Sequence, residues 1–294
     1  MATPTRKPIQ YAVIDAFTGS PFKGNPAAVC LLEEGDDDHH NRDEQWMQSL
    51  AMEFNISETC FLTPIVAAAA PRFRLRWFTP VAEVELCGHA TLAASHFLFS
   101  SGLVEADAVE FVTLSGVLTA KRVRKSDRFL IELDFPASVV VECEKVEVPE
   151  IPITLGGASV IGVMKSSSNG SGDGDFIVEL DSGEAVAGIQ PQLDEIRKCA
   201  GRGVIITGPA PSGSGFDFYT RFFCPKLGID EDPVCGSAHC ALAPYWSKKL
   251  GRKNLIAFMA SPRSGILDLQ LEEDTQRVLI RGEATTVMVG SILV

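Results

Sequence analysis

Phe73-Arg-Leu-Arg-Trp-Phe-Thr-Pro80 leads to Cys87-Gly-His-Ala90, and the same order returns in the second half as Phe218-Tyr-Thr-Arg-Phe-Phe-Cys-Pro225 leading to Cys235-Gly-Ser-Ala238. Each Cys-Gly opens a helical pattern, which stops at Gly102 in the first copy and at Gly251 in the second. Farther on, Ser115-Gly116 in the stretch 111–120 matches Ser264-Gly265 in 258–267. The two cysteines are 235 − 87 = 148 positions apart, close to half of the 294 residues. Self-similarity at so long a period means two copies of one structural unit. Within each copy, alternating apolar and polar residues predict strands on both sides of a Pro-containing turn and one helix. The expected architecture is therefore α+β, with two pseudo-symmetric lobes. The predicted lobes are 1–140 and 141–294, with the boundary inside 125–155 around a Pro-flanked acidic stretch and the C-terminal strand free to cross to the other lobe.

Composition narrows the function classes. Hydrophobic residues make up 46% and charged residues 22%, the balance of a globular protein. The net charge of −12 repels polyanions, so nucleic acid is not an expected partner. No apolar run reaches the roughly 18–20 residues that span a bilayer, and the N-terminus has no secretory pattern, so a cytoplasmic location is expected. Eight cysteines without a CxxC pair argue against a zinc site or a disulfide scaffold. The loop 33–43, with His39 and His40, and the Gly/Ser tract 165–175 read as solvated surface.

Within the helical patterns, Ala90, Ala93, Ala94, Phe97 and Leu98 fall on one face. Pro244 lies inside the second copy, which predicts a kink or restart near Ala243. An earlier helix is expected over 44–53.

The two helix mouths are the first place to look for chemistry. Free backbone N–H groups at a helix start hold anions and lower a thiol's pKa, and glycine lets a ligand approach the backbone closely. Cys87-Gly88 and Cys235-Gly236 at matched positions suggest either a carboxylate-binding pair or two thiols acting on opposite faces of one carbon. If 56–62 is a strand, Glu58 shares a face with Ile56, Cys60 and Leu62 and interrupts an apolar row. A poorly solvated carboxylate becomes a stronger base, as general acid/base work requires. His89 follows Cys87 by two residues, and Ser237 stands in its place in the second copy. Asp232 precedes a Pro that fixes the chain before the second mouth. Asn25 sits in a Gly/Pro turn that has no phosphate-binding glycine pattern.

Together these segments resemble the phenazine-biosynthesis F protein family, isomerase-like proteins of the diaminopimelate epimerase fold. The matching stretches are 15–19, 24–29, Ser57-Glu-Thr59, 76–80, Cys87-Gly-His-Ala-Thr91, 218–223 and Asp232-Pro-Val-Cys-Gly-Ser-Ala-His239. The resemblance implies a curved, mostly antiparallel, barrel-like sheet around a central helix in each lobe, with the active site between lobes. It implies Glu58 as the proton-carrying acid/base, with His89, Asp232, Gly236 and Ser237 around the substrate, no metal or organic cofactor, and a homodimer. Many relatives carry threonine where this chain has Cys235, and the paired cysteines are also similar to proline racemase and hydroxyproline epimerase motifs.

The sequence thus points to a cofactor-independent isomerase or epimerase acting on a small carboxylate-bearing molecule. Glu58 transfers the proton, His89 and Asp232 orient the substrate, and Asn25, Gly88, Gly236 and Ser237 bind it. The rivals are a two-thiol racemase using Cys87 and Cys235, and an idle member that only binds a metabolite or a partner.

Overall fold

The computed structural model describes residues 8–33, 43–66, 70–125, 128–143, 151–166 and 174–293. His39 and His40, with most of the acidic loop, and most of the Gly/Ser tract lie outside the described residues. In chain order the elements begin with β1 (Ile9–Ala16), β2 (Asn25–Leu31), α1 (Glu44–Phe54), β3 (Glu58–Pro64), β4 (Arg72–Phe78) and β5 (Glu83–Val84). Then come α2 (Gly88–Ser100), β6 (Ala108–Thr113), β7 (Gly116–Lys125), β8 (Arg128–Pro136), β9 (Val140–Glu142) and α3 (Ile151–Thr154). The second copy follows with β10 (Val160–Ser166), β11 (Phe176–Leu180), α4 (Gly183–Gly188), α5 (Leu193–Ile196), β12 (Val204–Pro209) and β13 (Phe218–Cys224). The chain closes with β14 (Ile229–Asp232), α6 (Gly236–Leu250), β15 (Asn254–Met259), β16 (Gly265–Glu272), β17 (Arg277–Gly282) and β18 (Ala284–Ile292).

Two compact units result, one of Met1–Leu133 with Gly282–Val294 and one of Asp134–Arg281. In the first, hydrogen bonds link β18, β1, β2, β3, β4, β6, β7 and β8 in that order, with β5 added to β4. Among these described pairs, only β2/β3 and β4/β6 are parallel. In the second unit the order is β9, β10, β11, β12, β13, β15, β16 and β17, with β14 added to β13. There β11/β12 and β13/β15 are the parallel pairs. The two sheets therefore share one strand plan. Each run is open, because among the described residues its first and last strands do not pair with one another.

The first sheet curls round α2, which packs against strands from β18 and β1 through to β7. Burial of α2 goes beyond the single face expected from its apolar spacing. Thr91, Leu92 and Ser95 are buried as well, whereas Phe97 is only half-buried. Small residues allow close approach beyond that face. The two hydroxyls are satisfied inside the helix, Thr91 Oγ1 donating to the Cys87 carbonyl (2.6 Å) and Ser95 Oγ to that of Thr91 (2.7 Å).

Helix α6 corrects a second expectation. It runs without a restart from Gly236 to Leu250, with Pro244 inside. Proline cannot donate to the carbonyl four residues back, that of Cys240. That carbonyl instead accepts the backbone N–H of Ser138 at 2.9 Å, so no polar group is stranded.

Helix α1 starts at Asp43, whose carboxylate accepts the Trp46 N–H at 3.0 Å, and it buries Met47 and Ala51. Asp43→Ala should cost about 1 kcal/mol, the usual worth of an N-cap, as measured by urea unfolding. A change within 0.2 kcal/mol, about the measurement noise, would show that the cap is not holding the helix.

Candidate active site

Strand β3 begins at Glu58, which is 4% exposed. Two residues on, Cys60 Sγ donates to the Ala90 carbonyl in the first turn of α2 (3.3 Å). Side chains two apart share a strand face, so the row containing Glu58 is the one turned toward α2. Asn25, at the start of β2, is also buried, and its Oδ1 accepts the Ser57 hydroxyl at 2.8 Å. The parallel pairing of Ala27 with Glu58 keeps these two strand starts side by side.

The Asn25 turn is rigidly built. Gly24 has φ +63, and a Cβ there would lie 2.1 Å from the Ala16 carbonyl oxygen, so glycine is required. Buried Asp15 holds the turn by accepting the Phe22 N–H at 2.6 Å.

At the mouth of α2, Cys87 is extended (φ −142, ψ 110) and its side chain caps nothing. Its sulfur lies 3.3 Å from His89 Nδ1. Burial drives the His89 pKa down to about 3, so the ring is neutral at neutral pH. The other ring nitrogen, Nε2, is buried without a hydrogen-bond partner among the described residues. An unsatisfied buried nitrogen costs about 1–3 kcal/mol, which a bound polar ligand would recover. The first unit thus gathers Glu58, Asn25, Cys87, Gly88 and His89 on β2, β3 and the start of α2.

The second unit gathers Asp232, Cys235, Gly236 and Ser237. Cys235 is the extended N-cap of α6, and its sulfur is 3.3 Å from Ser237 Oγ. A helix mouth was expected to lower a thiol's pKa. Here burial, and then the Asp232 charge, push Cys235 well above its ordinary value, so it rests as a thiol.

Asp232 Oδ1 accepts the Val234 N–H at 3.1 Å. Burial raises its pKa to about 6, against the opposing pull of its hydrogen bonds to Cys235 and Val234 and of the Arg202 charge. A value raised above that of the unfolded chain means that the folded protein holds the proton more tightly. This group's stabilising contribution is therefore whole below about pH 4 and is lost as pH rises to about 6. The stability advantage of Asp232→Asn over wild type should grow between those limits and stay level above them in urea titrations. A flat difference would contradict a buried, titrating Asp232.

Strand register compares the two units directly. Thr59 pairs with Phe78 as Val204 pairs with Phe223, so Glu58 corresponds to Gly203. A Cβ at Gly203 would lie 2.7 Å from both the Phe222 ring and the Phe223 carbonyl oxygen. The scaffold is repeated, but the carboxylate is not.

What the repeat does carry in both units is an arginine clamp. Arg76 binds Glu83 through Nε and Nη2 (2.7 and 2.6 Å) and lies 5.2 Å from the centre of the Phe78 ring. Arg221 binds Glu231 in the same way (2.7 and 2.8 Å) and lies 5.0 Å from the Phe223 ring. Each clamped glutamate stands four residues before a Cys-Gly, so the clamps fix the chain entering each helix mouth. The arginine is the fourth residue of both repeated octapeptides, a signal that the motif reading passed over.

A family model described as phenazine biosynthesis-like protein matches residues 14–290. The chain is 40% identical to an uncharacterized isomerase of Halalkalibacterium halodurans over 96% of this chain and 97% of that one. It resembles the crystal structure of a phenazine biosynthesis protein of the same family from Enterococcus faecalis. That match has a TM-score of 0.84 and 36% identity, covering 98% of this chain and 100% of the other. A probable proline racemase from Agrobacterium radiobacter, at 14% identity and TM-score 0.61 over 97% and 92%, shares the fold.

Proposed function

Because the chain belongs to the phenazine biosynthesis-like protein family, whose relatives include named isomerases, we propose that it moves a proton on a small carboxylate-bearing metabolite with Glu58 as acid/base. The observation that carries this reading is the buried Glu58 carboxylate on the α2-facing row of β3, in the same unit as the unsatisfied His89 Nε2. Neutral His89 offers a hydrogen bond without charge, Asn25 positions the strand starts, and the Gly88 N–H at the mouth of α2 holds an anionic group. In the second unit Asp232, Gly236 and Ser237, at the mouth of α6, are the candidates for substrate binding. Glu58 takes a proton from one carbon and returns it to the substrate, so its own protonation state is restored each cycle.

The test is incubation in deuterated water with a panel of small unsaturated and α-substituted carboxylates, read by NMR for carbon-bound deuterium. Exchange that depends on Glu58 supports the proposal. Exchange that survives loss of Glu58 but vanishes in both Cys87→Ser and Cys235→Ser would favour the two-thiol alternative, which the matched cysteines keep in view. The same reading carries a cytoplasmic homodimer, to be checked by light scattering and cell fractionation.

A further inference from the structure

Arg202, just before β12, is anchored on two sides and has a donor to spare. Its Nε and Nη2 dock on buried Asp175 at 3.0 and 2.6 Å, and Nη2 also donates to Ser237 Oγ at 3.3 Å. The guanidinium lies over the Phe222 ring, 5.4 Å from its centre. Nη1 makes no hydrogen bond among the described residues, and the side chain keeps 41% of its exposure. A planar cation held this way has already lost its rotamer freedom and presents a fixed N–H to a ligand. Through Ser237 it reaches the residues that the proposed reaction uses.

The matching place in the first unit carries no cation. Register places Ser57 opposite Arg202 in the repeat, and Ser57 bonds neutral Asn25. The charge of the whole protein is −12, so a general field does not attract anions here and any that bind must be held locally.

We propose that Arg202 is a specificity-determining residue that pairs through Nη1, beside the Ser237 hydroxyl, with a carboxylate on the substrate. This rests on the isomerase reading and deepens it, because a charge-assisted contact separates an acid from its amide or ester. Asp175 is then the positioning residue that aims the guanidinium and competes for its charge.

Malonate is a suitable probe and malonamide its neutral control, with binding read by calorimetry and thermal shift at fixed ionic strength. Wild type is expected to bind malonate and not malonamide. Arg202→Met should weaken malonate at least tenfold, whereas Asp175→Asn, which breaks the same ion pair but leaves the cation, should tighten it. A pair with only a structural role predicts that both variants behave alike. That outcome overturns the proposal, as does a wild type that ignores malonate or an Arg202→Met protein that binds it normally. Because the readout is binding, absent deuterium exchange with retained malonate binding sinks the Glu58 reading alone, and the converse sinks this one alone.

Discussion

Glu58→Gln is expected to lower solvent-deuterium exchange roughly 100- to 10,000-fold, the usual contribution of a positioned general acid/base. The substitution keeps the shape of the side chain and its place at the head of β3, but an amide neither accepts nor delivers the proton. Folding should survive, because the amide is isosteric with the buried carboxylate that it replaces. Circular dichroism and the melting temperature should therefore stay close to wild type while exchange collapses. Full exchange in a folded Glu58→Gln protein would end the case for this carboxylate.

The second large effect is on stability. Arg221 is 7% exposed and uses all three guanidinium nitrogens, two on Glu231 and Nη1 on the Ile189 carbonyl at 2.7 Å. Arg221→Met fills much of the same volume but strands a largely buried carboxylate and a carbonyl. Breaking one side of such a pair costs about 3–5 kcal/mol, larger than most single substitutions. For units of this size the melting temperature should fall by roughly 10 °C. Arg221→Met with Glu231→Gln should recover part of the loss, since the uncompensated charge is then gone. If the single variant melts with wild type, the clamp is ornamental and the chain before α6 is held by other contacts.

The duplicated plan was legible because its markers are local: an octapeptide, a Cys-Gly and a Ser-Gly recur in order. The place of Glu58 on the face shared by Cys60 and Leu62 was legible from the apolar row that it interrupts, although β3 starts at Glu58 and is buried on both faces. Less local facts left no such trace. The glutamates that close the clamps are reached only after β4 and β13 turn back on β5 and β14, so the arginines looked like ordinary strand residues. Arg202 and Asp175 are far apart in sequence and meet because β11 and β12 run parallel. Pro244 looked like a break because its compensating donor, Ser138, lies outside the helix altogether. In α2 the alanine spacing suggested one buried face, whereas Thr91, Leu92 and Ser95 are buried as well.

On the proposed reading, the lack of a Glu58 counterpart at Gly203 has a stereochemical consequence. With the Phe222 ring and the Phe223 carbonyl filling the space of a side chain there, the second unit has no carboxylate at the position that matches Glu58. A single carboxylate reaches only one side of a planar carbanion or polyene. A proton it removes and redelivers must therefore travel suprafacially, between carbons on the same face. Inversion at one centre needs a second base from the opposite side, so with Glu58 as sole carrier the product is a positional isomer of the substrate rather than its epimer.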